Sequence, residues 1–231
     1  MTLPSIHKST FTFLKSLAAN NDRDWFAGHR DSYDAAKLNV EEFVDGLIQR
    51  MSVHDSIETS SVRKSLYRIY NDVRFSNDKS PYNPRFAGYL RRTKPQFRGG
   101  YYYWLKPGAS RIGCGFVFPK AGDLQRIRQD IDLNHEEWRK VLGKKSIVRV
   151  FGAMQGDQVK TSPRGYQSSH EAIDLLRYKQ FWFERSYTDA EVLSKAFLTQ
   201  MNNDFKAIRP FFDYMSYVLT TDANGVELTG F

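Results

Sequence analysis

Between residues 66 and 85 the chain sets Arg68, Tyr70, Asp72 and Arg74 at every second position, followed by Ser76, Asp78, Lys79 and Tyr82. Alternate side chains of an extended segment share a face. The first four are therefore expected on one side, with Ile69, Val73 and Phe75 on the other. A second run repeats the pattern, setting Arg85, Ala87, Tyr89 and Arg91 against Phe86, Gly88 and Leu90. A guanidinium forks onto two oxygens of a phosphate or carboxylate, and a phenol adds a neutral hydrogen bond. The expected ligand-binding set is thus Arg68, Tyr70, Arg74, Ser76, Lys79, Tyr82, Arg85 and Tyr89, with Asp72 steadying an arginine. Should the site perform chemistry, Asp72 or Asp78 is the candidate acid or base and the arginines stabilise developing charge.

Charge distribution points to the same stretch. Residues 62–111 hold twelve Lys and Arg against Asp72 and Asp78, a net of +10, whereas the rest holds 22 basic against 24 acidic residues, a net of −2. So concentrated a field favours an anionic partner, whether a small acid, a phosphate or nucleic acid. Pro81 and Pro84 pre-set the backbone of the loop between the two runs and lower the entropy of ordering it. The competing readings are a solvated edge strand and an Arg–Asp–Tyr network that only locks strand to loop.

The elements that must hold these residues follow from hydrophobic spacing. Phe13, Leu14, Leu17 and Ala18 recur at helical intervals after Ser9 or Thr10 as a cap, and the run Asn20-Asn-Asp22 breaks that helix and caps the next. A second helical region carries Trp25, Phe26 and Tyr33 and then the stripe Val40, Phe43, Val44, Leu47, Ile48, Met51. Period-two patterning predicts strands at 66–75, 85–92, 101–106 and 111–118, the last two joined across the turn at 106–110. Helices are expected at 123–131, 136–142, 169–177, 189–199 and 203–219, the last kinked or broken at Pro210, and a strand at 180–185, while 145–151 fits either state. This is an α+β chain, an antiparallel sheet in the middle flanked by N-terminal and C-terminal helices. It reads as one domain over residues 1–219 with a tail at 220–231.

Other chemistries find little footing. His7, His29, His54, His135 and His170 lack paired metal-ligand spacing, and no metal or cofactor is expected. No Gly-rich phosphate loop and no Gly-x-Ser-x-Gly nucleophile turn is present. Tyr101-Tyr-Tyr-Trp104 suits base stacking, but alternating aromatics are ordinary in strands and favour a core or interface role. The lone Cys114 reads as a packed strand residue and allows no internal disulfide, which suits a reducing compartment. Lys8 and Lys15 interrupt any signal-like run and no membrane-length apolar stretch exists, so a cytoplasmic location is expected.

The strings Asn20-Asn-Asp-Arg-Asp-Trp-Phe26, Arg68-Ile-Tyr-Asn-Asp-Val-Arg-Phe-Ser-Asn-Asp-Lys-Ser-Pro-Tyr82, Gly100-Tyr-Tyr102 and Ala172-Ile-Asp-Leu-Leu176 resemble the bacterial and fungal family known as domain of unknown function 2461. The resemblance runs from about Phe11 to Leu219 and implies that the family's signature falls on Arg68, Tyr70, Asp72, Arg74, Phe75, Ser76, Asp78, Lys79, Pro81 and Tyr82. It implies no activity, and whether the protein is an enzyme stays open. Three functions are therefore expected in order: binding or processing of a small anionic or phosphorylated ligand on the central sheet, association with nucleic acid through residues 62–111, and a non-catalytic scaffold.

Overall fold

The computed structural model of the chain describes residues 3–74, 77–222 and 225–227. The helices in chain order are α1 (Lys8–Ala19), α2 (Arg23–Gly28), α3 (Arg30–Met51), α4 (Val62–Ser65), α5 (Ala121–Leu142), α6 (Lys145–Phe151), α7 (Ile173–Leu176), α8 (Asp189–Val192), α9 (Phe197–Ala207) and α10 (Arg209–Thr220). The strands are β1 (Phe86–Arg91), β2 (Gly100–Leu105), β3 (Ser110–Phe116) and β4 (Phe181–Tyr187). They form one antiparallel sheet in the order β1-β2-β3-β4, with helices before and after, so the α+β class expected from patterning holds. Among the described residues no helix is long and apolar enough to cross a membrane.

Contacts divide the chain into two compact units. The first gathers Met1–Leu90, Tyr102–Ile112 and Ser186–Asn203. In it α1 turns Phe13, Leu14 and Leu17 toward the stripe Val40, Phe43, Val44 and Leu47 of α3, all buried. Each such side chain removed from water contributes roughly 1.5–3 kcal/mol. Phe43 stacks on Phe197 with centroids 5.4 Å apart. The buried Asn39 of α3 fixes the entry to α1: its Oδ1 accepts from His7 N at 2.9 Å and Thr10 Oγ1 at 2.8 Å, and its Nδ2 donates to Ser5 O at 2.8 Å. Thr10, expected as a cap, is thus spent on Asn39, and α1 begins at Lys8. Asp22 does cap α2, accepting from Trp25 N at 2.8 Å.

The second unit gathers Arg91–Tyr101, Gly113–Arg185 and Asp204–Phe231. The helices expected at 123–131 and 136–142 are one element, α5, bent at Asn134 (φ −131°, ψ 32°). Asn134 Nδ2 turns back to Asp130 Oδ1 at 2.8 Å, while Trp138 Nε1 and Tyr214 Oη each donate to Asp130 Oδ2 at 2.7 Å, which ties α5 to α10. A second polar anchor is Arg92, whose side chain is wholly buried. Its guanidinium donates to Asp213 Oδ1 at 2.9 Å, Arg98 O at 3.0 Å and Ser216 Oγ at 3.3 Å. The ambiguous stretch at 145–151 is helix. The helix expected over 169–177 shrinks to Ile173–Leu176, because the His170 ring accepts the Ala172 N–H at 3.0 Å and forms a local turn there.

Candidate functional site

Over its described residues, 66–74, the segment expected as a strand over 66–75 is not one. Its ladder contacts among the described residues are two isolated antiparallel bridges, Leu66 with Gly88 and Tyr70 with Tyr82. Three residues separate the bridges on one side and five on the other. The extra length is taken up at Asn83-Pro84-Arg85, where Arg85 N bonds back to Asn83 O at 2.7 Å. Pro84 has no N–H to give a ladder, and the resulting bulge bends the chain. The two runs do lie side by side, held by Tyr67 N to Ala87 O (2.9 Å), Asn83 N to Ile69 O (2.7 Å) and Asn71 N to Pro81 O (2.9 Å). They bring together fewer of the expected groups than a regular ladder would.

Arg68 and Tyr70 are exposed and Ile69 is buried, as alternation requires, but Tyr67, on the Ile69 side of a strict alternation, is exposed as well. The Arg74 guanidinium closes on its own neighbour, with Nε 2.9 Å and Nη2 2.6 Å from the two oxygens of Asp72. Arg74's side chain first, and its backbone N–H second, hold the Asp72 carboxyl below the usual range. Asp78 is lowered by the Ser80 backbone N–H, which it accepts at 2.8 Å, and by the Ser80 side chain. Both carboxylates are solvated and ionised at neutral pH, an environment opposite to the burial that readies a carboxyl for proton transfer. Lys79 Nζ donates to Val73 O at 3.0 Å. Ser76 and Phe75 lie outside the described residues. Tyr82 is buried, its ring stacked on Phe26 at 4.0 Å and its backbone held by Asn21. Tyr70 leans edge-on against Phe26 at 6.0 Å and accepts from Arg30 Nη1 at 3.4 Å.

Arg85 and Tyr89 belong to a different gathering, on the sheet face away from the buried Phe86, Tyr103 and Ile112. The Arg85 guanidinium lies 3.8 Å from the Trp104 ring centroid, and that of Arg111 lies 4.5 Å from it. Ala109 N donates to Lys106 O at 2.9 Å, closing the β2–β3 turn, and counting back from it sets Trp104 opposite Arg111. Burial and then the neighbouring positive charge of Arg111 lower the Arg85 pKa. Among the described residues the Arg85 guanidinium has no hydrogen-bond or ion-pair partner. Beside it Tyr89 packs on Tyr102 with centroids 4.5 Å apart, and Tyr67 on Tyr102 at 6.5 Å. Burial first, then hydrogen bonding to Tyr102, raises the Tyr67 pKa, so its phenol stays neutral. The aromatic run at 101–104 is thus divided by strand alternation, Tyr101 and Tyr103 serving the interior and Tyr102 and Trp104 facing out.

Residue choice on the inner side fixes this face. The Tyr103 phenol meets Ser65 Oγ at 3.0 Å directly under Gly88, where a Cβ would overlap both that phenol and the Ser65 carbonyl. At the far end of the hairpin Gly108 N donates to Asp189 Oδ1 at 2.7 Å, and Lys15 Nζ lies 3.4 Å from Asp189 Oδ2. Arg111 and Tyr67 are not among the expected site residues, and Tyr102 and Trp104, which suit base stacking, are expected in the core or an interface. The available signal was the turn at 106–110, from which the Trp104–Arg111 pairing follows by counting.

Two further features are set apart from this face. An open trough of about 640 Å³ lies beside α1 and α3 where Ser9, Ser16, Ser32 and Ala35 are small, and none of the expected site residues lines it. Cys114 is buried and its thiol is pushed well up, by burial first and then by Asp204, which leaves it unreactive. Among the described residues no three His, Cys, Asp or Glu side chains gather as metal ligands.

The family model described as "Conserved hypothetical protein (DUF2461)" matches residues 9–214. No curated protein and no solved structure matches the chain.

Proposed function

The chain belongs to DUF2461, a family of conserved hypothetical proteins, and we propose that its first unit binds an anionic ligand, phosphorylated or carboxylated, on the outer face of the sheet. The observation that carries this reading is Arg85. Its guanidinium is half-buried, stacked on Trp104 and pressed by Arg111, and it has no counter-charge among the described residues. A cation so placed gains most from an oxyanion that forks onto its N–H groups and relieves the repulsion. The ring beneath it holds the guanidinium plane in position at little entropic cost. On the same face Tyr89 and Tyr102, packed on each other, offer hydroxyl groups to orient the ligand. Arg74, by contrast, already has a carboxylate and serves the loop. The reading is therefore one of binding, with the ligand drawn from the anions of a reducing compartment, which the single unpaired cysteine supports.

Thermal unfolding with pyrophosphate and with citrate tests it. At about 100 times Kd a bound anion stabilises by ~2.7 kcal/mol, or about 5–10 °C in a chain of this size. The shift is expected in the native chain and in Arg74→Ala, and is expected to vanish in Arg85→Ala. Equal shifts in all three, or none with either anion, defeat the reading.

A further inference from the structure

The outer face offers more than a small anion needs. Tyr67 is 50% and Tyr102 42% exposed, although both rings are large and apolar. Their centroids lie 6.5 Å apart and Tyr89 backs Tyr102 at 4.5 Å, so they form a continuous aromatic surface rather than scattered side chains. Two residues farther along β2, about 7 Å on a strand, stands Trp104 with Arg85 against it. The face thus presents an open stacking ring and then a cation, in that order along one strand. A metabolite site would enclose its ligand. An open sheet with exposed aromatics beside guanidinium groups matches instead the way unpaired bases are held, stacked on rings while the backbone phosphates meet positive charge. Charge agrees with that partner, since the parts of the basic segment that lie in this unit, residues 62–90 and 102–111, hold eight Lys and Arg against Asp72 and Asp78, a net of +6, and Arg63, Lys64 and Arg68 among them are exposed.

We infer that the outer face of β1 and β2 binds single-stranded nucleic acid, with a base on Tyr102 between Tyr67 and Tyr89 and a flanking phosphate on Arg85; this rests on the anion site proposed above. Duplex nucleic acid does not fit, because its bases are already stacked on one another and cannot reach the phenols.

The test is fluorescence anisotropy with labelled oligothymidylate and oligouridylate of about 12 nucleotides, across a salt series, with a duplex of equal length as comparison. The native chain is expected to bind the single strands more tightly than the duplex. Tyr102→Ala is expected to lose about tenfold in affinity while pyrophosphate still raises its thermal midpoint. Tyr102→Phe keeps both properties. Arg85→Ala loses both and shallows the salt dependence by about 0.7 in log–log slope. If pyrophosphate stabilises the native chain but neither oligonucleotide binds, the inference falls and the anion site stands. If oligonucleotides bind equally well after Tyr102→Ala, or no better than the duplex, the inference falls as well. If neither probe binds, both proposals fall together. Tyr102 is exposed, so its variants fold, and their unperturbed midpoints without ligand confirm it.

Discussion

The side-chain amide of Asn21 grips the peptide of Tyr82 from both sides, Nδ2 donating to Tyr82 O at 2.8 Å and Oδ1 accepting from Tyr82 N at 3.1 Å. The two residues lie 61 positions apart, and each sits in one of the strings that carry the family resemblance. Beside this clamp Phe26 stacks on the Tyr82 ring. Part of the signature therefore joins the α1–α2 corner to the loop after residue 76 and works as a fastener.

Asn21→Ala removes both bonds from a half-buried site and is expected to cost about 1–3 kcal/mol, read from urea unfolding. Asn21→Asp keeps the acceptor but sets a carboxylate against the Tyr82 carbonyl, so it is expected to cost at least as much. A neutral result for both would show that the amide does not bear on stability.

Gly88 has no room for a side chain over Tyr103 and Ser65. Gly88→Ala is expected to destabilise by about 1–3 kcal/mol through overpacking. Adding Tyr103→Phe deletes the nearest clashing atom and should recover part of that loss in a double-mutant cycle. The Ser65 carbonyl still crowds the site, so recovery is incomplete. Strict additivity of the two changes would place the clash elsewhere.

Arg92 in the second unit is a buried cation whose hydrogen bonds hold residue 98, Asp213 and Ser216 together. Arg92→Ala is expected to cost about 3–5 kcal/mol, from the lost ion pair together with the cavity. Arg92→Met fills the volume without the charge and is expected to be milder. Chemical denaturation of the two variants checks the order, and a milder Arg92→Ala would contradict it.

The Asp72 carboxyl is held below the usual range chiefly by Arg74. A depressed folded-state pKa contributes stability above the unfolded value of ~3.9 and loses it as pH falls through the folded value. Arg74→Ala should move the Asp72 midpoint up toward ~3.9, followed by carboxyl carbon NMR. A midpoint that stays put would assign the depression to the backbone N–H alone. Because both groups are solvated, the pair is also expected to weaken as salt is added.

Much of the scaffold could be read from spacing. The stripe from Val40 to Met51 is a helix and the turn at 106–110 joins two strands, since in both cases the hydrophobic period and the turn residues agree. The candidate site was legible only in part. Alternation put Arg68 outward and Ile69 inward, as found, yet it carried the strand through residues 66–75, where Pro84 and the bulge beside it leave two bridges among the described residues. It also could not see that Arg74 would fold back on Asp72 two residues away, since that pairing depends on the turn the loop takes. Arg85 and Tyr89 found their neighbours across the sheet, on β2, and no pattern within one run of sequence reports which residues of another run stand opposite.

The bond from Gly108 to Asp189 fastens the tip of the β2–β3 hairpin at a point remote from the rings and guanidinium groups it serves. Strand side chains change sides at every step, so sliding that ribbon by a single position would turn Trp104 and Arg111 inward and push Tyr103 and Ile112 into water. A tether at the tip disfavours such a slide, and the phase of the whole ribbon is thereby set from its end.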